Sequence, residues 1–229
     1  MTNPKVTYTK TAEQIIIDNL RKQSIQQEEE PAEEIPQTIS KEGYIYIPSI
    51  KLYVAKQKSL LNSNWQDSYE ELKKQQSKML SPLEFVNFLQ YLRAGNAELK
   101  ALYGEITAVR EPWRAEFLGA SLSMKGKQHY ITYPKFNNNS IEDVTEELDK
   151  DTSMTDRKIS LEGWLDNPTK QGLPRKDTAK GSFYYWKPEA GRVARFGAGP
   201  GGAYLGCNGD PQYSDSALGV RSCAEGTKK

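Results

Sequence analysis

RVARFGAGPGGAYLGCNGDPQYSDSALGVRSCAEG, residues 192–226 of this 229-residue chain, is the stretch around which the other segments are organised. Nine of the chain's 17 glycines lie between residues 191 and 226. Strand-like segments that alternate small or apolar residues with polar ones stand among them, at residues 193–196, 203–205 and 217–221. Glycine weakens a strand, because it loses more conformational freedom on folding and has no side chain to pack. Selection for stability alone does not produce such a composition.

Two interpretations account for these glycines. In the first, the stretch is a system of flexible surface loops. In the second, a constant framework carries scattered positions whose residues were not selected for fold stability. That framework comprises Ala198, residues 203–205, Cys207, Pro211, Gln212, Ser214 and residues 216–221. The candidate variable, ligand-binding positions are Gly197, Gly199, Pro200, Gly201, Gly202, Gly206, Asn208, Gly209, Asp210, Tyr213 and Asp215. Six of these eleven are glycine, and only Tyr213 offers an aromatic side chain as an anchor.

The framework pattern RVARF-x-A-x…AYL-x-C-x…PQ-x-S-x-SALGVR-x-C resembles the variable region of diversity-generating retroelement target proteins. It is most similar to the archaeal and archaeal-virus members of that group. In that family an error-prone reverse transcriptase randomises adenines in a template repeat, so asparagine codons of the AAY type become other codons. Gly, Asp, Asn, Tyr, Pro and Ser are reachable in this way, and the eleven candidate positions hold only such residues. The resemblance implies a hypervariable protein whose surface side chains are diversified for ligand binding and host recognition.

The resemblance covers residues 43–226 and is strongest at the C-terminal end. Upstream it is carried by YIYIPSIKLYVA (44–55), the helix that begins at Ser81 and Pro82, EITAVREPWRAEFLGA (105–120) and SFYYW (182–186). It implies an α+β, C-type-lectin-like fold with two to three helices, a small antiparallel sheet and a loop-rich ligand-binding half. In such a fold the N- and C-terminal strands pair. The order of helical and strand-like segments along the chain also indicates the α+β class.

Local signals predict the upstream elements. Ser81 and Glu84 form a capping-box pattern around Pro82, which predicts a helix that ends at Gly95. Apolar spacing and alternation predict the other segments: a hairpin of strands 44–47 and 52–55, helices 64–76 and 96–109, a strand at 113–118, a hairpin of strands 122–124 and 129–133, a core anchor at Trp164 and a strand at 183–186. Residues 135–158 are Asn-rich and then acidic, which favours a loop or insertion.

The chain divides into an N-terminal extension, residues 1–40, and a domain, residues 41–229, with its variable region at about residues 192–221. Residues 12–21 have the spacing of a short amphipathic helix. Residues 26–34 are acidic and broken by Pro31, which is typical of a solvated linker. The extension is either a tether to a particle or partner, or a disordered tail.

Composition limits the partners. The chain has 31 basic and 30 acidic residues and no dominant basic patch, which argues against nucleic acid as its main partner. An apolar run of about 18 residues, as a membrane span requires, is absent from the sequence. Residues 1–5 have no apolar core after them, so no signal peptide is expected and the protein is assigned to a virion or the cytoplasm. An extended variable face favours a macromolecular ligand, such as a protein or a cell surface.

Catalytic and cofactor signals are weak, so neither an enzyme nor a cofactor is expected. Residues 197–202 satisfy G-x-G-x-x-G, but Pro200 interrupts the motif and a strand-like segment follows it, which argues against a dinucleotide site. Cys207 and Cys223 are buried thiols or a disulfide; with the lone His129 they provide too few ligands for a metal. Two alternatives to a binding module stay open: a structural virion or surface protein with an inert Gly-rich end, and an oxidase of the formylglycine-generating type.

Overall fold

Strand pairing decides the architecture of this protein. The computed structural model describes residues 43–138 and 140–226, so the predictions for residues 1–40 lie outside the described part of the chain. The strands are β1 (Tyr44–Ile47), β2 (Leu52–Ala55), β3 (Lys78–Met79), β4 (Arg114–Lys125), β5 (Gln128–Asn137), β6 (Ser140–Glu147), β7 (Arg157–Ile159), β8 (Phe183–Trp186), β9 (Arg192–Gly199), β10 (Gly202–Gly209), β11 (Leu218–Val220) and β12 (Ser222–Glu225). The helices are α1 (Trp65–Lys74), α2 (Pro82–Ala94), α3 (Ala97–Thr107) and α4 (Leu161–Asp166).

The strands form two sheets. The smaller has the order β1-β2-β12-β3 and is antiparallel throughout. The larger has eight strands, with the path β6-β5-β4-β9-β10-β8-β7 and β11 paired to β4. Its β10–β8 and β11–β4 pairs are parallel, so the larger sheet is mixed. The expected pairing of the N- and C-terminal strands occurs between β2 and β12.

The prediction of an α+β, C-type-lectin-like fold with a small antiparallel sheet is wrong. The described residues have 40% strand and 22% helix, with four helices and an eight-stranded mixed sheet. Part of the difference lies at residues 135–158, which were predicted as a loop or insertion. There β5 continues to Asn137 and pairs with β6 in eight consecutive register positions. Most side chains of β6 are polar and exposed, with only Ile141 and Val144 apolar, so hydrophobic alternation could not indicate this strand.

Helix starts follow the predicted signals. Asn64 caps α1, with its side-chain oxygen accepting the backbone N–H of Asp67. Ser81 and Glu84 form the predicted capping box of α2, and Gly95 follows its last residue. The apolar face of α2 is fully buried, since Phe85, Phe88, Leu89 and Leu92 are each 0% exposed. Local backbone chemistry is sufficient to place these helices.

The larger sheet buries side chains on both faces. On one face Phe196 of β9 packs in an aromatic cluster with Phe85, Trp164 and Phe183. On the other face Phe117 of β4 belongs to a smaller cluster that includes Trp65, Tyr69 and Leu72 of α1. Because side chains alternate across a strand, the neighbours of Phe196 in β9 point away from its aromatic cluster.

Arg221 links the two sheets through a buried ion pair. Its Nε and Nη2 donate to Glu116 of β4 at 2.8 and 3.2 Å, and the two side chains are 4% and 1% exposed. Its Nη1 donates to the carbonyl oxygens of Ala55 and Lys56, at the end of β2. The bidentate geometry matches the forked shape of guanidinium.

Candidate functional site

The glycine-rich stretch forms the β9–β10 hairpin. Gly199 is opposite Gly202, Gly197 is opposite Tyr204 and Arg195 is opposite Gly206. The G-x-G-x-x-G match therefore lies in a strand–turn–strand unit and has no helix N-terminus after it. A phosphate-binding loop of the dinucleotide type needs that helix end.

Three glycines on one face of this hairpin lie beneath neighbouring side chains. A Cβ atom at Gly197 would lie 2.5 Å from the ring of Tyr204, and one at Gly199 would lie 3.1 Å from Trp113. A Cβ at Gly206 would lie 3.3 Å from the amide oxygen of Asn208. The three glycines thus provide a flat floor, and larger side chains from their neighbours lie over it.

An open cavity of about 410 Å³ stands on this floor. It is lined by Trp113, Arg195, Tyr204, Asn208, Asp210 and Tyr213; we call it the hairpin cavity. Trp113 reaches it because β4 pairs with β9, with Arg114 opposite Ala198. The cavity therefore combines residues that are about ninety positions apart in sequence, as the Trp113–Tyr204 hydrogen bond between its walls shows.

Arg195 is the charged centre of the hairpin cavity. Its guanidinium lies 5.9 Å from the ring centroid of Tyr204 and 5.9 Å from that of Tyr213. Both distances suit cation–π attraction. The Nε of Arg195 is buried and has no hydrogen-bond partner. Arg195 therefore presents unused donor capacity beside two aromatic faces, an arrangement that suits an acceptor group of a ligand.

Tyr204 lies over Gly197 and is hydrogen-bonded to Trp113 in the lining of the hairpin cavity. The indole N–H of Trp113 donates to the Tyr204 hydroxyl oxygen at 2.9 Å. Burial raises the pKa of Tyr204, an effect that the positive charge of Arg195 opposes in part. The hydroxyl consequently keeps its proton at neutral pH and can donate it to a ligand.

Asp210, at the rim, is the only acidic residue in the lining of the hairpin cavity. Asp210 is exposed and its carboxylate lies 3.8 Å from Arg192. The same carboxylate accepts the backbone N–H of Gln212 at 2.9 Å, and the carbonyl of Asp210 accepts that of Tyr213. Asp210 thereby shapes the turn that holds Tyr213 over the cavity.

The structure does not give the eleven candidate positions equal exposure. Four are exposed: Pro200, Gly201, Asp210 and Tyr213. Three are half-buried: Gly202, Asn208 and Asp215. Four are buried: Gly197, Gly199, Gly206 and Gly209. The first three of the buried group lie under side chains that line the hairpin cavity, but they do not line it themselves.

Three candidate positions have backbone roles. Gly202 has a φ of 115°, which L side chains rarely adopt. A Cβ at Gly209 would lie 2.9 Å from the backbone oxygen of Val193, which cannot rotate away. Asp215 accepts the N–H of Ala217 with its carboxylate and the N–H groups of Asn62 and Leu218 with its carbonyl. Local geometry therefore explains the residues at these positions.

Sequence reasoning did not assign Trp113, Arg195 or Tyr204 to the site. Tyr204 was placed in the framework, and the other two in strands. The framework positions Leu205, Leu218 and Val220 are each 0% exposed. Strand alternation could have found Tyr204 and Arg195, since both lie an even number of residues from candidate glycines in their own strands. Trp113 could not be found, because only the β4–β9 register brings it there.

Both cysteines are free and buried, in different sheets. Burial raises the pKa of Cys207 and that of Cys223 to about 12. The Cys223 thiol also donates to the carbonyl of Lys78. The disulfide alternative is therefore not realised, and both sulfurs are protonated at neutral pH.

We expect neither thiol of the native protein to react with an aromatic disulfide reagent at pH 8 faster than the protein unfolds. The reason is that the thiolate is the reactive form and burial disfavours it. Absorbance of the released thiol, with and without guanidinium, measures this. Two thiols should react in denaturant; rapid reaction of either one in the native protein would contradict the burial described above.

The described residues contain no group of three or more His, Cys, Asp or Glu side chains that could hold a metal ion. Over the same residues, no helix is long and apolar enough to cross a membrane. Comparison of the chain with protein-family models, curated proteins and solved structures found no match.

Proposed function

We propose that this chain is a diversified ligand-binding protein that uses the hairpin cavity and its rim to recognise a receptor. One observation carries the proposal: Trp113, Arg195, Tyr204 and Tyr213 converge over a floor of glycines. Tryptophan, tyrosine and arginine are the side chains that most often dominate binding energy at protein interfaces. A macromolecule, protein or cell surface, fits an open site of this shape better than a small enclosed ligand does.

The proposal also explains the glycines. A glycine floor makes room for the overlying Tyr204 and Trp113 rings. A Cβ at position 199 would press on Trp113, and one at position 206 would press on the amide of Asn208. At Gly197 an added side chain would force the Tyr204 ring to move. Substitution at this position would therefore reshape the cavity. Adenine-directed mutagenesis of such positions would change the recognition surface while the opposite face of the hairpin stays in the core.

The polar and aromatic side chains of the hairpin cavity indicate which ligand groups would suit it. Arg195 and the Tyr204 hydroxyl offer donors, and the exposed Tyr213 ring, 42% accessible, offers an apolar face. The proposal expects the protein in a virion or the cytoplasm, with residues 1–40 as a tether. No cofactor or metal is needed for this function.

The gene neighbourhood tests the diversification. A near-copy of the last hundred or so bases, differing only at adenines and lying beside a reverse transcriptase gene, is the expected finding. An isolated gene with no such repeat would contradict the retroelement part and favour a structural particle protein with an inert glycine-rich end. The formylglycine-type oxidase gains nothing from the two buried thiols, whose raised pKa values disfavour nucleophilic chemistry.

A matched pair of glycine substitutions tests which positions of the hairpin tolerate a side chain. We expect Gly201→Ser to change the free energy of unfolding by no more than about 0.5 kcal/mol, because an added Cβ has nothing within 4 Å. We expect Gly209→Ser to cost about 1–3 kcal/mol, because its Cβ would overlap the Val193 carbonyl.

Urea unfolding followed by far-UV circular dichroism measures both values. Equal stabilities of the two variants would show that the hairpin backbone accommodates residues at position 209. In that case position 209 would return to the set of freely variable positions.

A further inference from the structure

A second cavity, of about 300 Å³, lies on the other side of Trp113. It is lined by loop residues around Lys58, by the segment that joins α3 to β4, and by residues 216–217. Its charged side chains are Lys58, Glu105, Arg110, Arg114 and Arg221; we call it the basic cavity. Trp113 belongs to the lining of both cavities.

Positive charge is in excess in the basic cavity. Glu116 is held in the bidentate pair with Arg221, so it neutralises one of the four cations. Glu105 is exposed and has no ion pair within the described chain. Burial lowers the pKa of Lys58; Glu116 opposes this effect, whereas Arg114, Arg221 and Arg110 add to it. The cluster therefore holds its cations close together with too few carboxylates to balance them.

Donor groups in the cavity lack acceptors. Arg114 is 8% exposed, and its Nε is buried without a hydrogen-bond partner. Its Nη2 donates to the backbone oxygen of Glu105, which fixes the guanidinium in place. Lys58 donates to the carbonyls of Ala115 and Ala217 at 2.9 and 2.7 Å, which leaves its third N–H free of these contacts. Within residues 43–138 and 140–226, the side chain of Arg110 makes no hydrogen bond or ion pair.

A buried donor without an acceptor is costly, and here the unpartnered Arg114 Nε lies among cations in excess of their carboxylates, which indicates an absent partner of opposite charge. We propose that the basic cavity binds an oxyanion, a phosphate or a carboxylate, through Arg110, Arg114 and Lys58. Arginine donates in a fork that matches both oxyanions. The cavity is larger than one such anion, and Leu61, Pro112 and Trp113 give it an apolar wall. An aromatic or apolar group attached to the anion fits against this wall.

This inference does not depend on the proposed function, because it uses none of the eleven candidate variable positions. It would stand if the gene had no retroelement beside it. Conversely, the substitution of Arg110 used below removes no residue that lines the hairpin cavity.

Titration calorimetry of the full chain tests the site with three probes: inorganic phosphate, phenyl phosphate and benzoate. We expect saturable binding at low ionic strength, and a loss of about tenfold or more in affinity for Arg110→Gln, since a hydrogen bond between charged groups is removed. Because the Arg110 side chain has no described partner, this variant should keep the stability of the parent protein. Lys127→Gln is the matched control: it removes one positive charge from the exposed β4–β5 turn.

Amide chemical shifts locate the binding. Shifts confined to residues 57–61, 110–114 and 216–217 are expected, together with the Trp113 indole resonance. Tighter binding of phenyl phosphate than of phosphate would identify an anion carried by a larger ligand, and equal binding would identify the free ion. The proposal is overturned if no probe binds saturably, if the shifts fall elsewhere, or if Arg110→Gln and Lys127→Gln weaken binding equally.

Discussion

Glu116→Ala is expected to lower the free energy of unfolding by about 3–5 kcal/mol, because it leaves the Arg221 guanidinium buried without its counter-charge. Glu116 and Arg221 are 1% and 4% exposed, so water cannot replace the lost partner. The remaining contacts of Arg221, to the carbonyls of Ala55 and Lys56, are neutral and cannot balance its charge. Guanidinium denaturation at constant pH measures the loss.

Glu98→Ala is the matched control for this substitution. It breaks the ion pair with Lys56, in which the Glu98 side chain is 73% exposed, and we expect a change of less than about 1 kcal/mol. The double variant Glu116→Leu, Arg221→Met should recover part of the loss, because it removes both charges. If Glu116→Ala and Glu98→Ala destabilised the protein equally, the pair would not link the two sheets as described.

Phe196→Ala is expected to cost about 3–5 kcal/mol, whereas Arg195→Ala, one residue earlier in β9, should cost about 1 kcal/mol or less. Phe196 is 1% exposed, and its ring centroid lies 5.0 Å from that of Phe85 and 5.8 Å from that of Phe183. Arg195 points to the other face, where it contacts Tyr204 and Tyr213 across an open cavity. Its removal leaves no void in the core.

Urea unfolding of both variants against the parent protein measures this difference. If the two substitutions lowered the free energy of unfolding equally, the two faces of β9 would contribute equally to stability. There would then be no division between a core face and a face open to the hairpin cavity. A much larger loss for Phe196→Ala than for Arg195→Ala would support a strand in which the Phe196 side stabilises the fold and the Arg195 side tolerates substitution.

That division bears on the proposed diversification, in which one scaffold carries many sequences. Ala194, Phe196 and Ala198 alternate with Arg195 and Gly197 along one strand. Substitution on the open face changes what is presented to a ligand, and substitution on the buried face changes the packing of the aromatic cluster. The two consequences are separated by the period-two alternation of a strand.

Much of the local structure was predictable from the sequence. The β1–β2 hairpin was predicted with its observed bounds, and the helices after Asn64 and Ser81 begin at their predicted caps. These elements depend on residues within a few positions of each other. The β5–β6 extension was missed because β6 has too few apolar side chains to show hydrophobic alternation, and this accounts for part of the error in fold class.

The candidate site was only partly predictable. Composition identified the glycine-rich hairpin, but it could not separate Gly209, which is required by its contact with a carbonyl, from Gly201, which has open space around it. The diversification of the eleven candidate positions stays a prediction. Trp113 entered the site through strand pairing, and the partner of Arg221 was 105 residues away in Glu116.

By itself the sequence determined where α1, α2 and α3 begin, where several of the strands lie, and which stretch has a composition that stability does not explain. Caps, turns and alternation act over a few residues, so they can be recognised in one segment at a time. Only the tertiary structure decided the strand order, the burial of individual glycines, and the meeting of Trp113 with Arg195, Tyr204 and Tyr213. Those depend on register between distant strands, which is selected by the packing energy of the whole core and leaves no local signal.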